Sequence, residues 1–131
     1  MEYISAEEFL KQPKEVQEVF WTWWRPSKGD INYSPVRNGI EVVEIENNSV
    51  QRRNNGYIPL LTEGQLRKFI EDKTECKICL EYYKTTGYEV LLSDIEHNKE
   101  NAEQFNNWYE DLGTDLLQAY WKVACEIAKE G

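Results

Sequence analysis

Residues 77–93, KICLEYYKTTGYEVLLS, decide the fold, because they have the pattern of a β-hairpin. Ile78, Leu80 and Tyr82 alternate with their neighbours, which is typical of a strand with one buried face. Gly87 supplies the turn between this run and a second apolar run. The stretch therefore predicts a half-buried antiparallel hairpin whose strands are residues 77–83 and 88–93.

Helices are predicted on both sides of this hairpin. Two capping boxes, SAEE from Ser5 and TEGQ from Thr62, are typical of helix starts. Pro13 suits the first turn of a helix, since its missing N–H costs nothing there. Thr114 or Asp115 precedes the most clearly amphipathic run of the chain. The predicted helices are residues 5–12, 14–24, 63–73 and 115–129.

Further strands are predicted from β-branched runs and turn residues. The run IEVVEIE, from Ile40 to Glu46, is the clearest, and Asn47-Asn48 supplies a turn after it. Residues 94–113 are acidic, rich in asparagine and without a clear period, so we interpret them as a loop. The predicted strands are residues 31–33, 40–46 and 49–53.

Together these elements predict an α+β fold. We expect one antiparallel sheet of four to five strands and three to four helices. The C-terminal amphipathic helix is expected to pack on the sheet. No internal repeat or linker divides the chain, so a single domain is predicted over residues 1–131.

The chain carries 24 acidic and 15 basic side chains, a net charge of −9, and the imbalance is concentrated at one end. Residues 81–131 hold eleven acidic and four basic side chains, hence −7. This field repels nucleic-acid phosphates and favours a protein partner with a basic surface. The alternative is that the acidic side chains only keep a small protein soluble.

The sequence also predicts a compartment. The first ten residues, MEYISAEEFL, lack the basic and then apolar pattern of a signal peptide. No apolar run approaches the roughly 18 residues of a membrane span. Three cysteines cannot all pair within one chain, which fits a reducing compartment. We therefore expect a cytoplasmic location without membrane association.

A zinc site is the main metal hypothesis that the sequence offers. Cys76 and Cys79 form a C-x-x-C pair that His97 and Cys125 would have to complete. A structural zinc site usually has two such pairs, and positions three apart on a strand point to opposite faces. We therefore predict no metal and no cofactor. Whether these four side chains converge stays open at this point.

No motif indicates catalysis. His97 is the only histidine, and Asp94 and Glu96 beside it could orient its imidazole as a general base. The segment is interpreted as a polar loop, however, and no serine or cysteine lies in the sequence pattern of the strained turn that presents a catalytic nucleophile. The glycines are scattered singly, so no phosphate-binding loop is present. A non-enzymatic protein is predicted.

Aromatic residues that lie outside the apolar faces of the predicted helices are the strongest binding candidates. Trp21 lies off the apolar face of the helix predicted over residues 14–24, and Trp24 lies at the edge of that face. Trp108 and Tyr109 lie in the acidic stretch. Aromatic side chains surrounded by charge are typical anchors of protein interfaces. The alternative is that a second layer of the fold covers them. The predicted partner-binding residues are Trp21, Trp108, Tyr109, Glu103, Glu110 and Asp111.

A different class of function would use a small anionic ligand. Arg52 and Arg53 offer forked donors for phosphate or carboxylate, and Tyr57 lies close enough in sequence to stack on a base. This alternative is a sponge for a nucleotide-type molecule. The competing interpretation is a charged hairpin tip that discourages edge pairing.

Three segments, EFLKQPKEVQEVFWTWWRPSKGDI (8–31), IPLLTEGQLRKFIEDKT (58–74) and LLQAYWKVACEIAKEG (116–131), resemble uncharacterised small acidic phage and prophage proteins of Gram-positive bacteria. The shared features are capped amphipathic helices and aromatic clusters, so no functional residue is carried over. The resemblance implies a phage accessory protein in the cytoplasm of the host cell. It favours an inhibitor that occludes a basic surface of a host protein, such as a defence effector, and leaves a homo-oligomer open.

Overall fold

Four helices and six strands form over the residues that this computed structural model describes, which are 2–44, 54–94 and 107–130. Backbone contacts divide these residues into two units. The first is made up of Tyr3–Thr62 and the second of Glu63–Glu130. The fold class is α+β, as predicted.

The first unit combines two helices with a three-stranded antiparallel sheet. Ser5 caps the first helix by accepting a hydrogen bond of 3.2 Å from the Glu8 amide, as the capping box predicts. The elements are α1 (Ala6–Leu10), α2 (Lys14–Trp23), β1 (Ile31–Ser34), β2 (Gly39–Val42) and β3 (Ile58–Pro59). The strands are ordered β2-β1-β3.

The second unit also combines two helices with a three-stranded antiparallel sheet. The elements are α3 (Glu63–Thr74), β4 (Cys76–Tyr83), β5 (Gly87–Asp94), β6 (Asn107–Tyr109) and α4 (Leu116–Lys129). In the sheet, β5 is central and β4 and β6 are the edges. The two helices pack on each other; α3 also contacts β4, and α4 contacts β5.

The two helices of this unit follow their predicted patterns. Leu66, Phe69 and Ile70 of α3 are fully buried, as their helical spacing predicts. Asp115 caps α4, since its carboxylate accepts a hydrogen bond of 2.9 Å from the Gln118 amide. The apolar arc of α4 is buried along its length. Periodicity therefore locates both helices, and capping by Asp115 marks the start of α4.

The predicted hairpin is confirmed, and its register is continuous from end to end. Its predicted buried face is only partly so, because Ile78 is buried whereas Leu80 and Tyr82 are exposed. Tyr82 lies across from Tyr88, and Glu81 lies across from Glu89. Cys76 is buried whereas Cys79 is exposed, as expected for positions three apart on a strand. The two faces of the sheet therefore carry different side chains, and each residue of β4 and β5 can be assigned to one of them.

The hydrogen bonds of Tyr88 fix which backbone groups of β5 face which neighbour. Its N–H donates to the Gly113 carbonyl at 2.7 Å, and its carbonyl accepts from the Leu112 amide at 3.1 Å. Both groups of Tyr88 thus point away from β4. Because these directions alternate along an antiparallel strand, Glu89 and Leu91 are the residues whose N–H and C=O point toward β4.

Several sequence-based expectations about strands need correction. The expected sheet of four to five strands is instead two three-stranded sheets over the described residues. The strand predicted from Ile40 to Glu46 is β2, which ends at Val42 and pairs with β1. The strand predicted over residues 49–53 lies outside the described residues. The strand β6 forms inside the stretch interpreted as a loop. That the chain is a single domain stays a prediction.

The turn of the hairpin depends on Gly87. Its φ is +82°, and a Cβ added there would stand 2.1 Å from the carbonyl oxygen of Gly113. Substitution therefore costs both left-handed strain and a clash with backbone. We expect Gly87→Ala to lower the free energy of unfolding by at least about 3 kcal/mol, measured by urea denaturation.

Gly64 provides the matched control, because it lies in α3 of the same unit and a Cβ there meets nothing within 4 Å. Gly64→Ala should change the same free energy by no more than about 1 kcal/mol, in the stabilising direction. Equal effects of the two substitutions would contradict the role assigned to the contact between Gly87 and Gly113.

Candidate functional site

Side chains of all three strands of the second sheet meet on one of its faces. Strand pairing places Trp108 across from Leu91, and Leu91 across from Cys79. Glu81 and Glu89, two residues along each strand from that row, share the same face. We call this side of the sheet the Trp108 face.

Trp108 is the most exposed aromatic residue of this face, with 58% of its surface accessible. Its indole N–H donates a hydrogen bond to a carboxylate oxygen of Glu89. Glu89 is only 7% exposed, and a buried carboxylate is costly unless it accepts hydrogen bonds. The indole therefore has two roles, because it satisfies Glu89 through its N–H and presents its ring to solvent.

Tyr83 adds a second aromatic ring and a second hydrogen bond to a carboxylate. Its hydroxyl donates to Glu81 at 2.6 Å. This bond and the negative charge of Glu81 are the largest of the causes that together raise the pKa of Tyr83 to about 12. Desolvation and the charges of Glu89 and Glu110 make smaller contributions in the same direction. The charges of three carboxylates therefore act on one hydroxyl.

These side chains form one continuous feature, which we call the carboxylate–aromatic patch. Within the described residues, no lysine or arginine forms an ion pair with its carboxylates. Glu81 and Glu89 even lie directly across from each other, an arrangement in which like charges repel. An added cation would therefore be favoured here. The patch consists of Glu81, Tyr83, Glu89, Trp108 and Glu110.

The segment after β6 leaves the extended conformation at Asp111, whose φ is +56°. Glu110 and Asp111 are both exposed. The Lys122 ammonium donates to the carbonyl of Leu112 at 3.2 Å, which ties this segment to α4. Two of the predicted binding acids are therefore held at the surface beside the predicted tryptophan.

Tyr109 does not share the face of Trp108. Successive residues of a strand point to opposite sides, and Tyr109 pairs with Val90 on the other face. It is half-buried, and this burial raises its pKa, with smaller contributions from the charges of Glu130 and Glu126. The two adjacent rings therefore cannot contact one target surface side by side.

The two tryptophans singled out near the N-terminus belong to the first unit. The Trp21 indole N–H donates to the carbonyl of Tyr57 at 3.2 Å. Its ring packs edge-on against Phe9, with the two ring centroids 5.2 Å apart. Trp24 is buried, and its N–H donates to Asp30 at 3.3 Å. The suspicion that Trp24 is an exposed anchor is therefore wrong, while the assignment of Trp21 to partner binding stays a prediction.

Other predicted residues lie outside the described parts of the chain. These include Glu103 of the partner-binding set and His97. The anion-binding alternative rests on Arg52 and Arg53, which are also outside them. Its third member, Tyr57, is half-buried, and its carbonyl is the acceptor for Trp21. That alternative stays a prediction.

The cysteines do not come together as a metal site in the described residues. Cys76 and Cys125 are buried, Cys79 is exposed, and none of the three forms a disulfide in the described residues. Across the described ranges, no group of three histidine, cysteine, aspartate or glutamate side chains is arranged to hold a metal ion. The separation of Cys76 from Cys79 follows from strand alternation.

Comparison with known proteins leaves the site to be interpreted from its own chemistry. No family model, curated protein or solved structure matches the chain. None of the helices in the described ranges has the length and apolar character that crossing a bilayer requires.

Three members of the patch were not selected from the sequence. They are Glu81, Tyr83 and Glu89. A chain with 24 acidic side chains offers many pairs of carboxylates, so the sequence alone does not single out Glu81 and Glu89. The hairpin contains the missing signal. Once its register is set at the turn, Glu81 and Glu89 must lie across from each other.

The raised pKa of Tyr83 can be tested directly. Its neutral phenol donates to a carboxylate, and ionisation would place a second negative charge beside the first, so the pKa rises. Glu81→Gln removes that charge and should lower the pKa from about 12 toward the ordinary value of 10. The measurement is a pH titration of tyrosine ring carbons by NMR.

Glu7→Gln serves as the control, because Glu7 is an exposed acid of the first unit. It should leave the titration of Tyr83 unchanged. A wild-type Tyr83 that titrates near 10 would show that Glu81 does not hold its proton.

Proposed function

We propose that this protein is a non-enzymatic binding module whose carboxylate–aromatic patch binds and occludes a basic surface of a host protein. The observation that carries the proposal is Trp108, an exposed indole whose N–H already serves Glu89. The proposal retains Trp108, Glu110 and Asp111 from the sequence-based set. It adds Glu81, Tyr83 and Glu89.

Trp108 has the properties of an interface anchor. Tryptophan is among the residues enriched at binding hot spots, since it buries a large area at a small cost in side-chain entropy. The hydrogen bond to Glu89 restricts its rotation before any target arrives. A ring that is held in place loses less conformational entropy on binding.

The charges around the ring select the chemistry of the target. The negative charges of Glu81, Glu89 and Glu110 all act on Tyr83, and an arginine or lysine from a target would be attracted to them. The faces of Trp108 and Tyr83 suit the same cations through cation–π contact. The exposed Asp111 extends the negative field, which would accelerate encounter with a basic surface.

The choice of a host protein as the target follows from the sequence resemblance to phage and prophage proteins. A phage accessory protein acts in the host cell, and a defence effector is the proposed class of target. Effectors that act on nucleic acids need basic surfaces, because they bind phosphates. An acidic patch with an aromatic centre would compete for such a surface.

The first test removes the anchor. Immobilised wild type should recover a basic protein from host lysate, and its affinity can then be measured by calorimetry. Trp108→Ala should weaken that affinity by roughly 30-fold, as expected for an aromatic hot spot. Leu10→Ala is the control, since Leu10 is 53% exposed, comparable with Trp108, but lies in the first unit. Circular dichroism establishes that each variant is folded.

The second test reverses one charge of the patch. Glu110→Lys should slow association and flatten its dependence on salt concentration, because steering charges act mainly on the association rate. Glu18→Lys makes the same change of charge at an exposed position of α2 in the first unit, and it should have a smaller effect. Association rates are measured by stopped flow at low and high ionic strength.

Two results would overturn the proposal. One is that wild type recovers no basic protein from the lysate at low ionic strength. The other is that Trp108→Ala and Leu10→Ala bind the recovered protein equally well, since the indole would then not be part of the interface.

A further inference from the structure

The outer edge of β4 is an eight-residue strand with one neighbour. In the part of the chain that the structure describes, β4 pairs only with β5. Exposed apolar side chains accompany this edge, since Leu80 is 37% and Tyr82 is 51% exposed. Strand edges of this length and character tend to pair with another strand.

The direction of the backbone groups along this edge can be derived from two observations. Tyr88 directs its N–H and C=O away from β4, so its partner Tyr82 does not exchange backbone hydrogen bonds with β5. At the other end of β4, the Cys76 amide donates to the Thr74 hydroxyl at 3.2 Å. By alternation, Ile78 and Leu80 also direct their N–H and C=O outward.

We propose that β4 pairs antiparallel with β4 of a second copy of this chain, around a two-fold axis that passes between the two Cys79 residues. In this register Ile78 lies across from Leu80 of the partner subunit, and the symmetry repeats the pair. These are the residues whose backbone groups point outward, so each pair can exchange both hydrogen bonds. The sheet formed by β4, β5 and β6 in one copy and the same sheet in the second copy become one six-stranded sheet.

The same register pairs opposite charges. It places Lys77 across from the partner's Glu81, twice by symmetry. The ammonium would reach a carboxylate that already lies across from Glu89 within its own chain, so it would relieve that repulsion. Lys77 is exposed and forms no ion pair within the described residues.

Neighbouring registers that satisfy the same backbone directions lack this pairing. An axis at Leu80 would place Cys79 across from the partner's Glu81. An axis at Ile78 would place Lys77 across from the partner's Cys79. An axis one residue beyond Leu80 would bring the two Glu81 carboxylates together, which is unfavourable. Among these registers, only the one with its axis at Cys79 both pairs the residues whose backbone groups point outward and places opposite charges across from each other.

The proposed dimer leaves the centre of the carboxylate–aromatic patch available. The new contact forms at β4, whereas Trp108 lies on β6 at the opposite edge of the sheet. Of the patch carboxylates, only Glu81 belongs to β4 and is used by the dimer. The two proposals share Glu81, but the dimer does not use Trp108, so Trp108→Ala tests target binding alone. The dimer would give two anchors on one particle.

The competing interpretation is that Lys77 and Glu81 protect the edge from pairing, as charged residues often do. It predicts a monomer. Analytical ultracentrifugation distinguishes the two, because the chain has a mass of 15.6 kDa and the proposed particle has twice that mass. The expected result for wild type is a reversible monomer–dimer equilibrium.

Charge reversal tests the register. Glu81→Lys should raise the dissociation constant of the dimer at least about tenfold, because two attractive pairs become repulsive. It should not unfold the chain, since the new lysine lies across from Glu89. Adding Lys77→Glu to the same chain restores opposite charges across the axis and should restore the dimer. Glu18→Lys is the matched control for net charge.

Cross-linking of Cys79 tests the position of the two-fold axis. In this register the partner of Cys79 is a second Cys79 in a non-hydrogen-bonded pair, where Cα atoms lie about 4.5 Å apart, within the range that a disulfide spans. Diamide would accept two electrons and two protons from the two thiols, leaving a disulfide and the hydrazine. Diamide treatment of the purified wild type should give a cross-linked dimer, and the same treatment of Cys79→Ser should give none. Cys76 and Cys125 are buried.

Two results would overturn the proposal. A wild-type chain that stays monomeric at the highest concentration reached would favour the protective interpretation. A dimer that Glu81→Lys leaves intact, and that diamide does not link through Cys79, would show that the copies associate through another surface.

Discussion

Gly87 holds the sheet of the second unit in a single register. Its close approach to Gly113 leaves no room for a side chain, and the hydrogen bonds of Tyr88 to Leu112 and Gly113 join β5 to the segment that follows β6. Gly87 closes the turn that sets the pairing of β4 with β5, so every residue of β4 has one partner on β5 and one face. Both proposals for this protein depend on that assignment.

The register has an electrostatic cost. It sets Glu81 across from Glu89, with Glu110 close by, and the described residues supply hydrogen-bond donors instead of cations. Tyr83 donates to Glu81 and Trp108 donates to Glu89. Neutral donors stabilise a carboxylate without cancelling its charge. The surface therefore keeps an attraction for external cations, whether from a target protein or from a second copy of this chain.

The sequence predicts local structure here better than pairing between distant segments. Capping at Ser5 and Asp115 and the turn at Gly87 depend on neighbouring residues, so the helices and the hairpin follow from pattern. The three-residue strand β6 is too short for a detectable period and forms because β5 offers it an edge. Burial of Trp24 likewise depends on tertiary packing, which helix periodicity alone does not give.

For the site, the sequence predicted Trp108 and Tyr109 as anchors with Glu110 and Asp111 beside them, and their role in binding stays a prediction. Alternation along β6 separates Trp108 from Tyr109, which could be known only once those residues were recognised as a strand.

The pairing register of β4 and β5 underlies both proposals, and it can be measured directly from NOEs between Hα protons. We expect them between Tyr82 and Tyr88 and between Leu80 and Val90, which are close non-hydrogen-bonded pairs. Strong Hα contacts from Tyr82 to Glu89 instead would shift the register by one residue and contradict both proposals.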